Sequence, residues 1–327
     1  MSALGTDRHV DVHDIEAIAQ TEPFAILVAL DVIWRRTAIA EQIPVGVAER
    51  GKGFEPRHND SVPSQRTILC DVDGVIWLMR QPLPGAVDAV RRWLDAGHRL
   101  MFVTNNSYAT VGAQEEAFAA IGIDASDRLL TSSMAAAHLL TAGARVVVNG
   151  GPGVIEAVES AGATAVPVES VSQDDALADG ITDVVVGFHR EFDYHRLHVL
   201  SALVREGARL IGTNSDATYP TDRGVIPGGG AILAAVATAG GVKPVIAGKP
   251  HETMARLVTA RVGSSEVEDM WMVGDRLSTD GLFAKRLGCR FAHVLSDVAE
   301  SGVDVTPDVT VSSFADFVEA ALRAPTA

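Results

Sequence analysis

The chain has 327 residues, with 27 basic and 42 acidic side chains and a formal net charge of −15. This charge disfavours nonspecific binding to nucleic acid or to anionic membranes, and the length exceeds the roughly 100 to 200 residues of one domain, so we expect two globular units. The two cysteines, Cys70 and Cys289, are far apart in the sequence. They therefore suggest neither a disulfide framework nor a zinc cluster, and a reducing, cytoplasmic setting is favoured.

Residues 1–65 differ in composition from the rest of the chain. Ala17–Ala40 contains a helical pattern, but its apolar stretch Phe24–Trp34 includes Asp31 and is shorter than the roughly 18 uncharged residues that span a bilayer. Acidic residues also occupy the start of the chain, where a secretory signal would carry positive charge. Because Glu49–Arg66 is rich in polar residues, glycine and proline, we interpret residues 1–65 as a loosely attached leader and linker.

Two aspartates follow the next predicted element, a strand over Ile68–Asp71. The strand ends in Asp71-Val72-Asp73-Gly74, and Gly74 permits a sharp turn. Two carboxylates at the carboxyl end of a strand suit a divalent cation and a nucleophile that works beside a general acid. Taken alone, the pair is also typical of an ordinary turn, which is the more frequent case.

Polar residues end the following strand in the same way. The strand predicted over Arg99–Thr104 finishes with the hydroxyl of Thr104 and the amide of Asn105, although both residue types are also common in turns. Helices are predicted before and after this strand, at Ala86–Ala96, Thr110–Ile121 and Ser132–Ala142, with Thr110 and Ser132 as their N-caps.

The middle of the chain contains a glycine-rich turn. A strand predicted over Arg145–Val148 is followed by Asn149-Gly150-Gly151-Pro152-Gly153 and a helical pattern, an order that resembles a nucleotide-binding turn. The turn lacks a third spaced glycine and a following lysine. An ordinary connection between a strand and a helix is therefore the preferred interpretation.

The same part of the chain contains histidines that could bind a metal and polar residues that could contact a substrate. His195 and His198 lie three residues apart on a predicted helix, with His189 just before it, but without a cysteine or a paired carboxylate nearby a solvated helix face is favoured over a metal site. Strands are predicted at Val184–Gly187 and Arg209–Thr213. The second leads into Asn214, Ser215 and Asp216, which are candidate substrate contacts or simple turn residues.

The last third of the chain adds a lysine and two more aspartates. Lys249 precedes a proline, Asp275 follows a predicted strand over Asp269–Val273, and Asp280 comes five residues later. Taken singly, Lys249 is typical of a solvated loop and Asp275 of a helix cap. The remaining predicted elements are helices at Glu252–Val262, Thr279–Leu287 and Phe314–Leu322 and strands at Arg290–Val294 and Val309–Val311.

Four segments in this order resemble the signature of the haloacid dehalogenase superfamily: Asp71–Gly74, Leu100–Asn106, Ala247–Pro250 and Met270–Asp275. The intervening details resemble its NagD and p-nitrophenylphosphatase branch, namely Pro84–Ala86, Thr104–Ser107, Pro227–Gly230 and Gly274–Asp280. The resemblance covers roughly Ile68 to Leu322. One position departs from the branch, since Ser278 stands where an acidic residue is common.

The resemblance implies a Mg²⁺-dependent phosphatase that acts through an aspartyl-phosphate. Asp71 would be the nucleophile, and Asp73 the general acid that protonates the leaving alkoxide and then accepts a proton from water. Mg²⁺ would be held by Asp71, the backbone carbonyl of Asp73 and Asp275, with phosphate bound by Thr104, Asn105 and Lys249. Gly74 and Asp280 would support the site. Asp73 argues against dehalogenation, because family members that break carbon–halogen bonds lack this acid.

The expected fold class is α/β, with a Rossmann-like parallel sheet, helices on both faces and an inserted α/β cap domain. We assign residues 66–144 plus 243–327 to the catalytic core and 145–242 to the cap, because Asn106 and Lys249 are too far apart for a single crossover. The expected partner is a small phosphorylated metabolite, and the resemblance suggests a homodimer. Two alternatives remain open: a phosphotransferase with the same aspartyl-phosphate, and a noncatalytic binding or regulatory protein of this fold.

Overall fold

The structure is a computed structural model that describes residues 65–171, 180–221, 224–263, 270–296 and 300–324. The predictions made for residues 1–64 lie outside these ranges. None of the helices within them is long and apolar enough to cross a membrane.

Strands and helices alternate along most of the described chain. The strands are β1 (Thr67–Cys70), β2 (Trp77–Leu78), β3 (Gln81–Pro82), β4 (Arg99–Thr104), β5 (Leu129–Thr131), β6 (Arg145–Asn149), β7 (Thr164–Pro167), β8 (Ile181–Val186), β9 (Arg209–Gly212), β10 (Thr218–Thr221), β11 (Gly224–Pro227), β12 (Val245–Ile246), β13 (Met270–Gly274), β14 (Arg290–Val294) and β15 (Val309–Val311). The helices are α1 (Ala86–Asp95), α2 (Val111–Ala120), α3 (Ser132–Ala137), α4 (Pro152–Ser160), α5 (Tyr194–Arg205), α6 (Gly229–Gly240), α7 (Glu252–Val262), α8 (Leu282–Leu287) and α9 (Phe314–Arg323). A 3₁₀ turn at Val168–Ser170 and a π-helical turn at Leu277–Gly281 complete the set.

Six strands form the first sheet, in the order β15-β14-β13-β1-β4-β5, and every neighbouring pair is parallel. All four residues of β1 are buried, as expected for an apolar strand that is covered on both faces. On one face Ile68 and Cys70 pack with residues of α1 and α9, and on the other Leu69 packs with residues of α3 and α7. The predicted α/β class, with a parallel sheet between helices, is confirmed.

Five strands form the second sheet, in the order β12-β9-β8-β6-β7, and this sheet is also parallel. Its strand β12, Val245–Ile246, lies just beyond the predicted cap limit at residue 242. Val146 and Val148 of β6 share a hydrophobic cluster with Leu69 of β1, so apolar packing joins the two sheets. Two hairpins, β2–β3 and β10–β11, are antiparallel.

Hydrogen bonds at the helix ends confirm one predicted N-cap and correct another. Thr110 caps α2 by accepting from the N–H of Ala113. Ser132 is not an N-cap, because Thr131 accepts from the N–H of Met134 and takes that place. The same helix ends at Ala137 rather than Ala142, since the following residues form tighter i→i+3 bonds, such as Leu140 N–H to Ala137 C=O.

The predicted helix over Thr279–Leu287 begins later than expected. The π-helical turn precedes α8, and in it the N–H groups of Asp280 and Gly281 both donate to the carbonyl of Arg276. Turns of this kind are frequent at functional sites. This one places Asp280 in the interior, where it is fully buried.

Candidate active site

The carboxyl ends of three neighbouring strands place most of the predicted site residues together. Asp71 follows β1, Thr104 ends β4, and Asp275 follows β13; these strands lie side by side in the order β13-β1-β4. Because the strands are parallel, their carboxyl ends meet at one edge of the sheet, where open α/β sheets bind ligands. All three residues line one cavity of about 150 Å³, together with Asp73 and Lys249.

Lys249 lies between two carboxylates at the bottom of this cavity. Its Nζ is 2.8 Å from Oδ1 of Asp71 and 2.7 Å from Oδ1 of Asp280, and only 1% of the residue is exposed. Burial alone would lower the pKa of Lys249, but Asp280 and Asp71 outweigh that effect and raise its pKa above the ordinary value. The lysine is therefore a buried cation beside Asp71 and not a solvated loop residue.

Three carboxylates face one another closely enough to hold a cation. Asp71, Asp275 and Asp280 each offer an oxygen, and these oxygens lie within 4.8 Å of one another. Burial, followed by the charge of Asp71, raises the pKa of Asp275 to about 6 and that of Asp280 to about 8. Oδ1 of Asp275 is buried without a hydrogen-bond partner. A cluster of hard oxygen donors with an unpaired buried oxygen fits Mg²⁺.

Asp280 has other partners within this cluster. One oxygen accepts from the ammonium of Lys249, and Oδ2 accepts from the N–H of Arg276 at 3.2 Å. These bonds tie Asp280 to Lys249 and to Arg276, and its supporting role stays a prediction.

Glycine is the residue type that fits at position 74. Its φ is +88°, and a Cβ added there would lie 2.5 Å from Oδ2 of Asp275. Any side chain would therefore strain the backbone and displace a predicted metal ligand.

Asp73 is held by an indole that the sequence interpretation missed. Nε1 of Trp77 donates to Oδ1 of Asp73 at 3.0 Å. Burial, followed by the charge of Asp71, raises the pKa of Asp73 to about 6, although the bond from Trp77 opposes the shift. A carboxyl group with this pKa can carry a proton near neutral pH, which is what a general acid needs.

Thr104 and Asn105 differ in what their side chains do. Thr104 is buried, and its hydroxyl accepts from the N–H of Asn106 at 3.0 Å. The amide of Asn105 bonds instead to the main chain of Lys249 and to the carboxylate of Asp216. The side chain of Asn105 is thus used inside the protein, and the predicted phosphate contact of this residue would fall to its backbone.

Two of the three candidate substrate contacts reach the cavity. Asn214 and Asp216 line it, whereas Ser215 is exposed and does not. Nδ2 of Asn214 also donates to the carbonyl of Asn105 at 2.9 Å. The loop after β9 therefore contributes directly to the site.

Aromatic side chains form a further wall of the cavity, and the sequence interpretation missed them. The rings of Tyr108 and Phe188 are 5.8 Å apart, and those of Phe188 and Tyr219 are 5.2 Å apart. Tyr108 and Phe188 lie in loops and Tyr219 lies on β10, at positions that are distant in the sequence. No local pattern brings them together, so only the fold identifies them.

Comparison with known proteins decides the family. A protein-family model described as haloacid dehalogenase-like hydrolase matches residues 68–164. A second family model, described as HAD-hydrolase-like, where HAD stands for haloacid dehalogenase, matches residues 246–317. Phosphoglycolate phosphatase 2 of Arabidopsis thaliana is 31% identical over 278 residues, which cover 77% of this chain and 92% of that protein. The chain belongs to the haloacid dehalogenase-like hydrolases. The predicted family is confirmed.

Two further comparisons agree with this assignment. Chronophin of Bos taurus is 32% identical over 294 residues, covering 83% of this hydrolase and 97% of chronophin. A solved structure of glycerol phosphate phosphatase from Mycobacterium tuberculosis, in complex with magnesium, matches with a TM-score of 0.67 and 28% identity, covering 76% of each chain. These relatives place the hydrolase in the NagD-like branch, and those named as phosphatases agree with the predicted phosphoric monoester hydrolase.

The position at which this haloacid dehalogenase-like hydrolase departs from its branch has an acidic neighbour. Glu300 accepts from the N–H of Ser278 at 2.9 Å and also from the serine hydroxyl. A carboxylate thus contacts residue 278 from a separate loop.

The glycine-rich turn of the hydrolase is explained by packing. A Cβ on Gly151 would lie 2.4 Å from the ring of Tyr108, and one on Gly153 would lie 2.1 Å from the carbonyl of Ala109. The glycines therefore permit close approach of the chain itself, which supports the ordinary strand-to-helix turn.

The histidines do not gather into a metal site. Nε2 of His189 lies 3.2 Å from Glu169, and His195 and His198 lie on α5. In the described ranges, Asp71, Asp275 and Asp280 form the only group of three or more side chains placed to share an ion.

Proposed function

We propose that this hydrolase is a Mg²⁺-dependent phosphatase that cleaves a small-metabolite phosphate monoester through an aspartyl-phosphate at Asp71. The observation that carries the proposal is that Asp71 shares one cavity with the buried cation Lys249 and with Asp73, whose pKa is raised. Asp71 supplies the nucleophile, Lys249 supplies the positive charge beside it, and Asp73 supplies a proton.

Asp71 would attack the phosphorus directly. A carboxylate nucleophile needs no base to remove a proton during its attack. The obstacle is repulsion between two anions, and the ammonium of Lys249, 2.8 Å from Oδ1 of Asp71, reduces it. As the bond from Asp71 to phosphorus forms, the bond from phosphorus to the ester oxygen breaks, and the electron pair leaves with that oxygen.

Asp73 would transfer the proton. In its protonated form it gives the proton to the departing alkoxide, and as a carboxylate it then accepts a proton from the water that hydrolyses the aspartyl-phosphate. The raised pKa makes both forms accessible near neutral pH. The bond from Trp77 fixes one oxygen of Asp73, so the other is free to face the leaving group.

The residues that would hold the metal are Asp71, the backbone carbonyl of Asp73, and Asp275. When bound, Mg²⁺ neutralises part of the negative charge of the carboxylates and of the phosphoryl group. The unpaired Oδ1 of Asp275 supports this assignment, as does the magnesium in the solved relative from Mycobacterium tuberculosis.

The second sheet would act as the cap. Phe188, Asn214 and Asp216 follow its strands and line the cavity beside the catalytic aspartates. Covering the cavity would exclude bulk water and select the leaving group. The small cavity fits a small phosphorylated metabolite, and two relatives are named for such esters, phosphoglycolate and glycerol phosphate. A cytoplasmic location and a homodimer complete the proposal.

Phosphate release from a panel of esters tests the proposal. The panel contains phosphoglycolate, glycerol phosphate, pyridoxal phosphate, a sugar phosphate and a nucleotide, each assayed with Mg²⁺ and with EDTA. We expect turnover that needs the metal and is lost in Asp71→Asn, while the matched variant Asp95→Asn, on the exposed end of α1, stays active. Product that forms only with an acceptor alcohol and without free phosphate would indicate a phosphotransferase. Absence of turnover on every ester would favour a noncatalytic protein.

A further inference from the structure

Lys249 is held by its main chain as well as by its ammonium group. It lies between β12 and α7, where neither element fixes its backbone. Its N–H donates to Oδ1 of Asn105 at 2.9 Å, and its carbonyl accepts from Nδ2 of the same side chain at 3.1 Å. A single amide group therefore clamps both polar atoms of the Lys249 main chain.

Asp216 favours the orientation of the amide that these bonds to Lys249 require. Nδ2 of Asn105 lies 3.2 Å from both carboxylate oxygens of Asp216. A carboxylate oxygen accepts hydrogen bonds, so Asp216 favours the orientation in which the nitrogen of the amide faces it. Rotated by half a turn, the amide of Asn105 would place its oxygen against both Asp216 and the carbonyl of Lys249, and both bonds to Lys249 would be lost.

The loop that carries Asp216 is itself well held. The N–H of Asp216 donates to Oδ1 of Asn214 at 3.1 Å, and its carbonyl accepts from the N–H of Gly230 at 2.9 Å. Nδ2 of Asn214 donates to the carbonyl of Asn105. The loop thus contacts both the side chain and the main chain of Asn105, and it can fix the residue in one orientation.

We propose that Asp216 is a positioning residue for phosphoryl transfer: through Asn105 it sets the main-chain position of Lys249, and with it the ammonium beside Asp71. The inference rests on the proposed function. An anionic side chain in a cavity for a phosphate ester repels the substrate, so a role in orienting Asn105 gives its presence there a physical reason. Asp216 lies outside both ranges matched by the family models, 68–164 and 246–317.

Two substitutions separate positioning from direct contact with the leaving group. Asp216→Leu has a similar size but accepts no hydrogen bond, whereas Asp216→Asn keeps an oxygen that can face Nδ2 of Asn105. The ratio kcat/KM is measured for p-nitrophenyl phosphate, glycerol phosphate and phosphoglycolate, with Asp95→Leu as the control at an exposed aspartate. Since a misplacement of about 1 Å costs on the order of 100-fold, we expect Asp216→Leu to lower kcat/KM about 10- to 100-fold, equally for each ester. Asp216→Asn should stay within about 5-fold of the native enzyme.

A double-mutant cycle tests whether Asp216 acts through Asn105. In the background of Asn105→Ala, Asp216→Leu should cause no further loss, because both changes remove the same bonds to Lys249. Losses that multiply would overturn the proposal. So would a loss confined to some esters, which would indicate direct contact with the leaving group, or an Asn variant as poor as the Leu variant.

Binding of inorganic phosphate keeps the test independent of turnover. Calorimetry in the presence of Mg²⁺ should show phosphate affinity about tenfold or more weaker in Asp216→Leu than in Asp216→Asn, because both variants lack the repelling charge and only Asp216→Asn keeps an acceptor for Nδ2 of Asn105. The melting temperature should stay close to that of Asp95→Leu. A native chain that binds phosphate but hydrolyses no ester would refute the proposed function alone, whereas equal phosphate affinity in Asp216→Leu and Asp216→Asn would refute the role of Asp216.

Discussion

Replacing Lys249 by methionine tests the electrostatics of the site without a substrate. Methionine keeps the length of the side chain but removes the ammonium that lies 2.8 Å from Asp71 and 2.7 Å from Asp280. The substitution leaves buried carboxylates without a cation, and breaking a buried ion pair in this way costs about 3–5 kcal/mol. We expect the free energy of unfolding to fall by up to this amount near neutral pH in EDTA.

The loss should depend on pH in a defined direction. Burial and the charge of Asp71 raise the pKa of Asp280 to about 8, although Lys249 opposes this shift. In the unfolded chain the carboxyl pKa is about 4. Without the lysine, the folded state therefore holds a proton on Asp280 that the unfolded chain releases. A raised carboxyl pKa in the folded state means that stability falls as the pH rises. Removing the lysine raises the folded-state pKa of Asp280 further, so the difference between the native chain and Lys249→Met should widen as the pH rises through about 8 and be smaller near about pH 5.

Urea unfolding followed by circular dichroism measures this difference. The matched control is Lys285→Met, because Lys285 pairs with Asp304 at 3.2 Å on the surface, where both side chains are exposed. Such a pair contributes at most about 1 kcal/mol. If Lys249→Met were no less stable than this control, or if its deficit did not shrink on acidification, the ion pairs of Lys249 would not be the source of stability inferred here.

Three further substitutions address the metal, the proton donor and a buried histidine. Gly74→Ala should raise the Mg²⁺ concentration for half-maximal activity about 10- to 100-fold, because the new Cβ meets Asp275; an unchanged metal titration would contradict this. Asp73→Asn should lower kcat/KM about 10²- to 10⁴-fold for glycerol phosphate and much less for p-nitrophenyl phosphate, whose phenolate leaves without a proton; equal losses would argue against an acid. Burial, followed by the charge of Arg286, lowers the pKa of His251 to about 4, so the folded chain resists protonation. Between about pH 6.5 and about pH 4 the native chain should lose up to about 3 kcal/mol of stability that His251→Gln does not lose, measured by urea unfolding; parallel pH profiles would contradict this.

The sequence could predict that Asp71 and Asp275 lie close together, because the order of the strands along the chain and the parallel sheet determine it. Asp71 and Asp275 each follow an apolar strand, and Thr104 ends another. Once the strands are parallel neighbours, their carboxyl ends share one edge, and short-range sequence signals are enough to assemble these groups. The predicted bounds of β4, β14, β15 and α7 also agree with the structure, since the strands are short stretches rich in β-branched or aromatic residues and α7 shows a clear helical repeat.

The orientation of the polar side chains could not be predicted in the same way. Thr131 and Ser132 are both good N-cap residues, and only the three-dimensional contacts decide that Thr131 caps the helix while the hydroxyl of Ser132 bonds to the carbonyl of Asn105. The bonds between Asn105 and Lys249 join residues 144 positions apart. A turn-forming asparagine carries no local signal of such a partner.

The loop after the second-sheet strand β9 makes hydrogen bonds at the cavity. The carbonyl of Thr213, just after β9, accepts from the N–H of Gly248 at 2.8 Å, and the hydroxyl of Thr213 bonds to Ser107 at 3.1 Å. The loop after β9 is therefore bonded to the segments on either side of the cavity, those that carry Lys249 and Asn105. Moving the second sheet away as a rigid body would break the bonds that join the loop after β9 to Ser107 and to Asn105. Lys249 thus depends on both sheets for its position, which explains why its burial beside Asp71 follows from the assembled fold and not from its neighbours in the sequence.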